Sequence, residues 1–327
     1  MALHAQFRGG HRRLHLCFIL EAEYLDDEMP RAVAECVRDL GHIVDFLEPN
    51  ASVTELGAQG AYGYDAYVLK TAPDGPGLSL LEAAGAAGIP TINPHRAIRL
   101  VRDKAVAVAM ATFSGLAMPR TFFASTPNLL SLIGAHNYPL VIKPNKGSGG
   151  QGVFRVDHPG QLAELGLEAD RVVLAQTYVA NLGFDVKVYN TGQEIFAVQW
   201  PSPLHLDLGV TPRLLPLTAE LRDICLAFGR AFGLKIYGVD LVASERGWVA
   251  VDVNDFPSFH EVPDAAARLA VSVLQMTTSM RRSTARKRRL EGYLAAAKNR
   301  VTVAQSTNHE PESGYLIPPA EFGTAAM

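Results

Sequence analysis

Cysteine is scarce: the 327 residues hold Cys17, Cys36 and Cys225, far apart and without paired spacing. That excludes a zinc knuckle and a disulfide framework, and it leads us to expect a reducing, cytoplasmic location. An excess of basic charge is also missing, since 30 Lys and Arg stand against 33 Asp and Glu for a net charge of −3. A protein that draws its affinity from neutralising phosphates carries a basic surplus, so nucleic acid is not an expected partner. No uncharged apolar run reaches the roughly 18 residues of a membrane span, and no membrane is expected either. The run Leu14 to Leu20 follows Arg8, Arg12 and Arg13, but it contains His15, spans seven residues and ends at Glu21. That is too short and too poorly flanked for a signal peptide, and it reads as a first β-strand. The loops of the N-terminal region lack G-x-G-x-x-G, so dinucleotide binding is not supported.

What is present is apolar material, at 48% of residues. A chain of this length buries roughly 75% of its unfolded surface and builds a full core. From Leu14 to Asn93, short apolar runs alternate with helical stretches closed by Gly41 and Gly88, the pattern of an open α/β sheet. A helix is expected from about Pro94 to Gly115, carrying Lys104. From Pro119 onward the chain turns α+β, with strands at YPLVIKP, GVFRV, RVVLAQTYV, DVKVYNTG and EIFAVQW and a helix from about Thr218 to Phe232. The expected division is an N-terminal α/β domain over 1–93 and a second domain over 94–280. The latter comprises a central lid part, about 119–180, and a part over about 181–280. Six basic residues between Arg281 and Arg289 open a final segment, 281–327, read as a solvated basic helix followed by a mobile tail.

Two constellations carry chemistry. The first is the loop between YPLVIKP and GVFRV, which places Gly147, Gly149, Gly150 and Gly152 among Lys146, Ser148 and Gln151. Glycines serve any hairpin turn. Four of them exceed what a turn needs, and their backbone N–H groups make an anion nest. Because the loop joins two strands, it fits a lid over nucleotide phosphates better than a P-loop. Lys143, in the strand just before it, is either an ordinary edge lysine or a point charge reaching the same phosphates.

The second lies in KIYGVDLVASERGWVAVDVNDFP. A three-residue loop, Glu245 to Gly247 with Gly247 left-handed, pairs 244 with 248 and sets Asp240 opposite Asp252, with Asn254 on the same face. Tyr237, Val239, Leu241, Val249, Val251 and Val253 make the other face apolar. Like charges opposite one another in a buried hairpin need a cation between them, and these hard donors suit Mg²⁺ held jointly with phosphates. A pair of solvated aspartates is the alternative.

With these motifs in order (INPHRAIRLVRDK, PLVIKPNKGSGGQGV, VVLAQTYV, FDVKVY, and YGVDLV followed by AVDVNDFPSF), residues 90 to 275 resemble an ATP-grasp enzyme. The branch is the one that contains RimK-like glutamate ligases and inositol trisphosphate kinases. The resemblance implies an α/β pre-ATP-grasp domain followed by an α+β ATP-grasp fold. It implies that ATP and Mg²⁺ are the cofactors, with two ions and Mn²⁺ as a substitute, and that Lys104 and Lys143 contact phosphates under the loop Gly147, Ser148, Gly149, Gly150 and Gly152. Gln176, Thr177, Tyr178 and Val179 become the linker along adenine and Asp185 lies by the ribose. Lys143 and Lys187 become the catalytic pair, Lys187 facing the phosphates or the reacting centre, although the alternation Asp185-Val186-Lys187-Val188-Tyr189 also describes any half-exposed strand; Asp240, Asp252 and Asn254 become metal ligands. The branch's members are often dimers or tetramers, so a homo-oligomer is expected.

Asp252-Val253-Asn254-Asp255-Phe256-Pro257 is similar to the kinases, where the ligases usually have Glu at the first position, while the Gly-Ser-Gly-Gly-Gln-Gly lid is ligase-like. A polyphosphate substrate demands converging cations, for which Lys70, Arg96, Arg99 and Arg102 are the candidates in an acidic chain. The expected activity is therefore an ATP-dependent carboxylate-amine ligase acting on a small carboxylate and an amino-acid or peptide amine through an acyl phosphate. A small-molecule kinase and a nucleotide-binding module without turnover are the alternatives. Tyr24, Lys70, His205, Arg213 and Ser258 are candidate walls of the acceptor site. Phe256, Pro257, Phe259 and His260 are expected to line the same cleft.

Overall fold

The computed structural model describes residues 12–56, 63–70, 75–147, 149–205 and 208–283. Described residues up to Ser279 belong to one compact unit built on three sheets. The basic segment and tail lie almost entirely outside the described residues. So does Ser148.

The first sheet has four parallel strands in the order β2-β1-β3-β4: β1 His15–Leu20, β2 Ile43–Leu47, β3 Ala66–Lys70 and β4 Thr91–Ile92. Helices α1 (Glu28–Asp39) and α2 (Pro76–Ala86) connect them. Asp27 caps α1 by accepting from Met29 N, and Val33, Ala34 and Val37 bury its inner face. Strand ends carry the groups that reach a ligand in such sheets, and here Lys70 closes β3.

Lys104 does not ride on one long helix. The chain makes α3 (His95–Arg102) and α4 (Lys104–Phe113), broken at Asp103, whose extended backbone lets its carboxylate cap α4 at Val106 N. Asn145 completes the corner by accepting from Ala105 N through its side chain and from Lys104 N through its carbonyl. The apolar period runs on through the break, so the expected single helix was a misreading of a tertiary cap.

The second sheet is antiparallel, ordered β5-β8-β6-β7: β5 Thr121–Ala124, β6 Leu140–Pro144, β7 Phe154–Val156 and β8 Val173–Thr177. Lys143 therefore stands on an interior strand, which removes the edge-lysine reading. The third sheet, β11-β10-β9-β12-β13, uses β9 Phe184–Thr191, β10 Ile195–Pro201, β11 Arg213–Leu215, β12 Ile236–Ser244 and β13 Gly247–Asn254. Helix α5 (Ala219–Phe232), capped by Thr218 and ended by left-handed Gly233, packs Leu221, Cys225, Phe228 and Phe232 on the sheet's apolar face, against Val186, Val188, Val239 and Leu241. The cysteines are free, and no helix among the described residues is long and apolar enough to cross a membrane.

The β12-β13 hairpin departs from the expected register. Ser244 pairs with Gly247, one residue short of the expected partner, and the offset holds to Leu241 opposite Ala250. Val251 is then inserted as a bulge, after which Asp240 stands opposite Asp252. The bulge leaves Val251 lining the cavity beside Asp252 and outside the buried core, while Ala250 belongs to that core and Val253 is buried in it at the cavity's edge. The expectation that Val251 faces away from the aspartates is corrected accordingly.

Candidate active site

Residues of all three sheets line one cavity of about 790 Å³. On its floor, the polar face of the third sheet, three strands set a charged row: Lys187 on β9 opposite Asp240 on β12, opposite Asp252 on β13. Lys187 Nζ donates to Asp240 Oδ2 at 2.6 Å. Asp252 receives Lys104 Nζ on both carboxylate oxygens at 2.9 Å. From the lid sheet above, the buried Lys143 donates to the carbonyl of Val251 at 2.8 Å. Three lysines from three elements thus converge on two aspartates.

Burial sets the ionisation of this cluster. It pushes Lys143 down to about 8, a shift that Asp252 and Asp240 oppose and Lys104 reinforces. Burial likewise pushes Asp185 up to about 7, helped by repulsion from Asp240 and opposed by Lys187 and a hydrogen bond from Ser202. For Asp252, burial works against the charge but Lys104 and Lys143 outweigh it, so the carboxyl sits below its ordinary range. Lys187 shows the mirror case: burial opposes its charge, and Asp240 holds it above the ordinary lysine value.

The two aspartates and Asn254 line the cavity together. Among the described residues no three His, Cys, Asp or Glu side chains make a metal cage. Two carboxylates and an amide fit Mg²⁺, which keeps few protein ligands and completes its shell with phosphates and water. Lys104 and Lys187 already mark the demand for positive charge at each carboxylate.

Gly147, Gly149, Gly150, Gln176, Thr177, Tyr178, Val179 and Asp185 also line the cavity. Gly149, Gly150 and Gly152 have φ of +64°, +73° and +68°, although Gly152 is not among the lining residues. The N–H groups of Thr177 and Tyr178 already donate to the carbonyls of Arg120 and Pro139. The Tyr178 ring lies 4.2 Å under the Arg155 guanidinium, and its hydroxyl is 2.9 Å from His205 Nε2.

Of the acceptor-site candidates, Tyr24, Lys70, Phe256, Pro257, Ser258 and His260 line the cavity. His205 instead pairs with Tyr178, exposed Arg213 with Gln199, and Phe259 is buried core against Tyr189. The cations considered for a polyphosphate are spoken for: Arg102 binds Asp255, Arg99 binds Glu82, Lys70 meets Asp27 and the Phe256 carbonyl, and Arg96 is exposed on α3 outside the cavity lining. Three participants escaped the sequence reading: Asn145, Asp255 and Trp200, the last stacked on His260 at 5.2 Å. Asn145 and Asp255 stand inside the motifs PLVIKPNKGSGGQGV and AVDVNDFPSF, and that membership was their signal.

The comparisons bear on family and fold. The RimK-like ATP-grasp domain model matches residues 101–276. A probable alpha-L-glutamate ligase of Xanthomonas axonopodis pv. citri (strain 306) is 30% identical over 287 residues, 77% of this chain and 94% of the relative. Among solved structures, the RimK domain ATP-grasp protein of Sphaerobacter thermophilus DSM 20745 aligns with a TM-score of 0.63 at 18% identity, covering 79% of this chain and 98% of that one. The ATP-grasp ligase PsnB, complexed with minimal precursor, Mg and ADP, aligns at 0.60 and 18%, covering 80% and 98%. A matched model over more than half the chain, a relative matched nearly end to end and a shared fold make one conclusion: the chain belongs to the RimK-like ATP-grasp family.

Proposed function

We propose that this ATP-grasp ligase joins a small carboxylate to the amine of L-glutamate or a glutamate-like amino acid, with ATP and Mg²⁺, through an acyl phosphate. The observation that carries the reading is the convergence of Lys104, Lys143 and Lys187 on the Asp240–Asp252 pair beneath a glycine-rich lid. The amine is taken from the name of the 30% identical relative. Asp240, Asp252 and Asn254 are the residues that would hold the metal, and two ions are expected there. When bound, Mg²⁺ neutralises charge on the phosphates being transferred.

The chain's own residues position and neutralise. Lys143 and the amides around Gly147 to Gly152 hold the terminal phosphates, Lys104 turns from Asp252 towards them, and Lys187 faces the reacting carboxylate. The segment 176–179 runs along the adenine, and Asp185 takes the ribose. The substrate carboxylate oxygen attacks the γ-phosphorus and ADP leaves. The amine then attacks the acyl carbon and expels inorganic phosphate, so no enzyme nucleophile is needed. The boundaries at about 93 and 280, and a cytoplasmic location suited to three free cysteines, belong to the same reading. A kinase acting on a polyphosphate is disfavoured because Arg96 and Arg99 lie outside the cavity lining, while Arg102 and Lys70 are engaged by Asp255 and Asp27.

The test is incubation with ATP, Mg²⁺, L-glutamate and, in separate runs, pools of small carboxylates, amines and polyols, read by mass spectrometry. A product heavier than a carboxylate by glutamate less water, with one ADP and one phosphate each, supports the proposal. A phosphorylated alcohol without free phosphate makes the chain a kinase, and absence of ADP with every pool makes it a binding module.

A further inference from the structure

We propose that Lys70 and Arg102 are positioning residues that lock the turn after β13 and so hold Asn254 towards the divalent cation; this rests on the Mg²⁺ site proposed above. Asn254 is the last residue of β13, where the ladder with Gly238 ends. Beyond it the backbone is unusual: Phe256, Phe259, Glu261 and Asp264, none a glycine, have φ of +99°, +51°, +64° and +50°. Side chains disfavour that region, and residues stay there only where their surroundings over-determine them.

Two charges do so. Arg102 grips Asp255 with two parallel hydrogen bonds, Nε to Oδ1 and Nη2 to Oδ2, each 3.0 Å, and both side chains are about nine-tenths buried. Lys70 Nζ donates to the carbonyl of Phe256 at 2.7 Å while lying 3.5 Å from Asp27 Oδ2 and 5.0 Å from the Tyr24 ring centre. Arg102 ends α3 two residues before Lys104, which holds Asp252. The β12–β13 ladder therefore fixes the chain up to Val253, Arg102 fixes 255, Lys70 fixes 256, and Asn254 lies between the anchored points. Lys70 belongs to the first sheet, so the N-terminal region shapes the metal side of the site as well as walling it.

Groups that orient metal ligands typically change metal affinity by about 10-fold to 100-fold when removed. The experiment is calorimetric titration of the full chain with ADP, with Mg²⁺ and with chelator, for wild type, Lys70→Met, Lys70→Arg and Asp255→Asn, alongside melting of the unliganded proteins. We expect Lys70→Met and Asp255→Asn to lose about 10-fold or more of the Mg²⁺-dependent gain in affinity. We expect ADP binding without Mg²⁺ to stay within about twofold and Lys70→Arg to recover most of the gain. Wild-type Mg²⁺ dependence in both variants, or an equal loss with and without Mg²⁺, overturns the inference. If Asp255→Asn melts early, the two Lys70 variants decide. A wild-type chain whose ADP affinity ignores Mg²⁺ overturns the proposed function itself.

Discussion

Lys143 Nζ donates to the carbonyl oxygen of Val251, the residue that β13 inserts as a bulge beside Asp252. The bulge does two things at once. It restores Asp240 and Asp252 to facing positions after a tight turn has shifted the strands, and it points a carbonyl at the lid lysine that the pleat would otherwise turn away.

With Lys143 on the phosphates, as proposed, nucleotide affinity is expected to be sensitive to alkaline pH. Burial lowers it to about 8, so it is charged below that pH and loses its proton as pH rises through it. We expect kcat/KM for ATP, which reports the free enzyme, to fall above about pH 8. Lys143→Arg keeps its charge and removes this alkaline limb, though at a lower plateau because a planar fork replaces a point charge. A pH–rate profile of both proteins checks this.

Asp240→Asn and Asp252→Asn each remove a carboxylate from the row that also holds Lys187 and Lys104. The metal supplies several kcal/mol of charge stabilisation, so kcat is expected to fall by about 100-fold or more in each variant. Steady-state kinetics at saturating Mg²⁺ make the comparison, and unchanged kcat would remove these residues from the metal site.

Tyr178, which lines the cavity, is clamped between Arg155 and His205. One net hydrogen bond is worth about 1 kcal/mol, so Tyr178→Phe and His205→Ala should each raise KM for ATP by about fivefold and leave kcat near wild type. A matching fall in kcat would instead tie the clamp to chemistry.

Gly150 sits at φ +73°, and a Cβ there would come within 3.3 Å of Pro203 Cβ. A left-handed alanine costs roughly 1–2 kcal/mol, so Gly150→Ala should weaken ATP binding by about 5-fold to 30-fold while barely changing thermal stability, because the loop is exposed. Calorimetry and melting curves together test this.

Most strands along the chain, the glycine lid and the facing aspartates were legible because each rests on local pattern: alternation, glycine density, a turn between two apolar runs; the short strands Thr121–Ala124 and Arg213–Leu215 were not. The Asp240–Asp252 pairing was nonetheless reached through the wrong register, one residue out at Ser244 and set right at Val251. Val249-Ala250-Val251 reads as uninterrupted apolar strand, and nothing in such a run marks which residue is extra. The break at Asp103 was hidden for a related reason, since what stabilises it is Asn145, which accepts from Ala105 N across 40 residues. Arg102 and Asp255 lie 153 residues apart, and no local periodicity joins them.

The central claim is transfer through an acyl phosphate, and oxygen-18 carried by the carboxylate substrate tests it most directly. With a labelled carboxylate that supports turnover, we predict one ADP and one inorganic phosphate per amide, the phosphate carrying a single oxygen-18 from the carboxylate. Unlabelled phosphate, or ADP formed with no phosphate released, would contradict it.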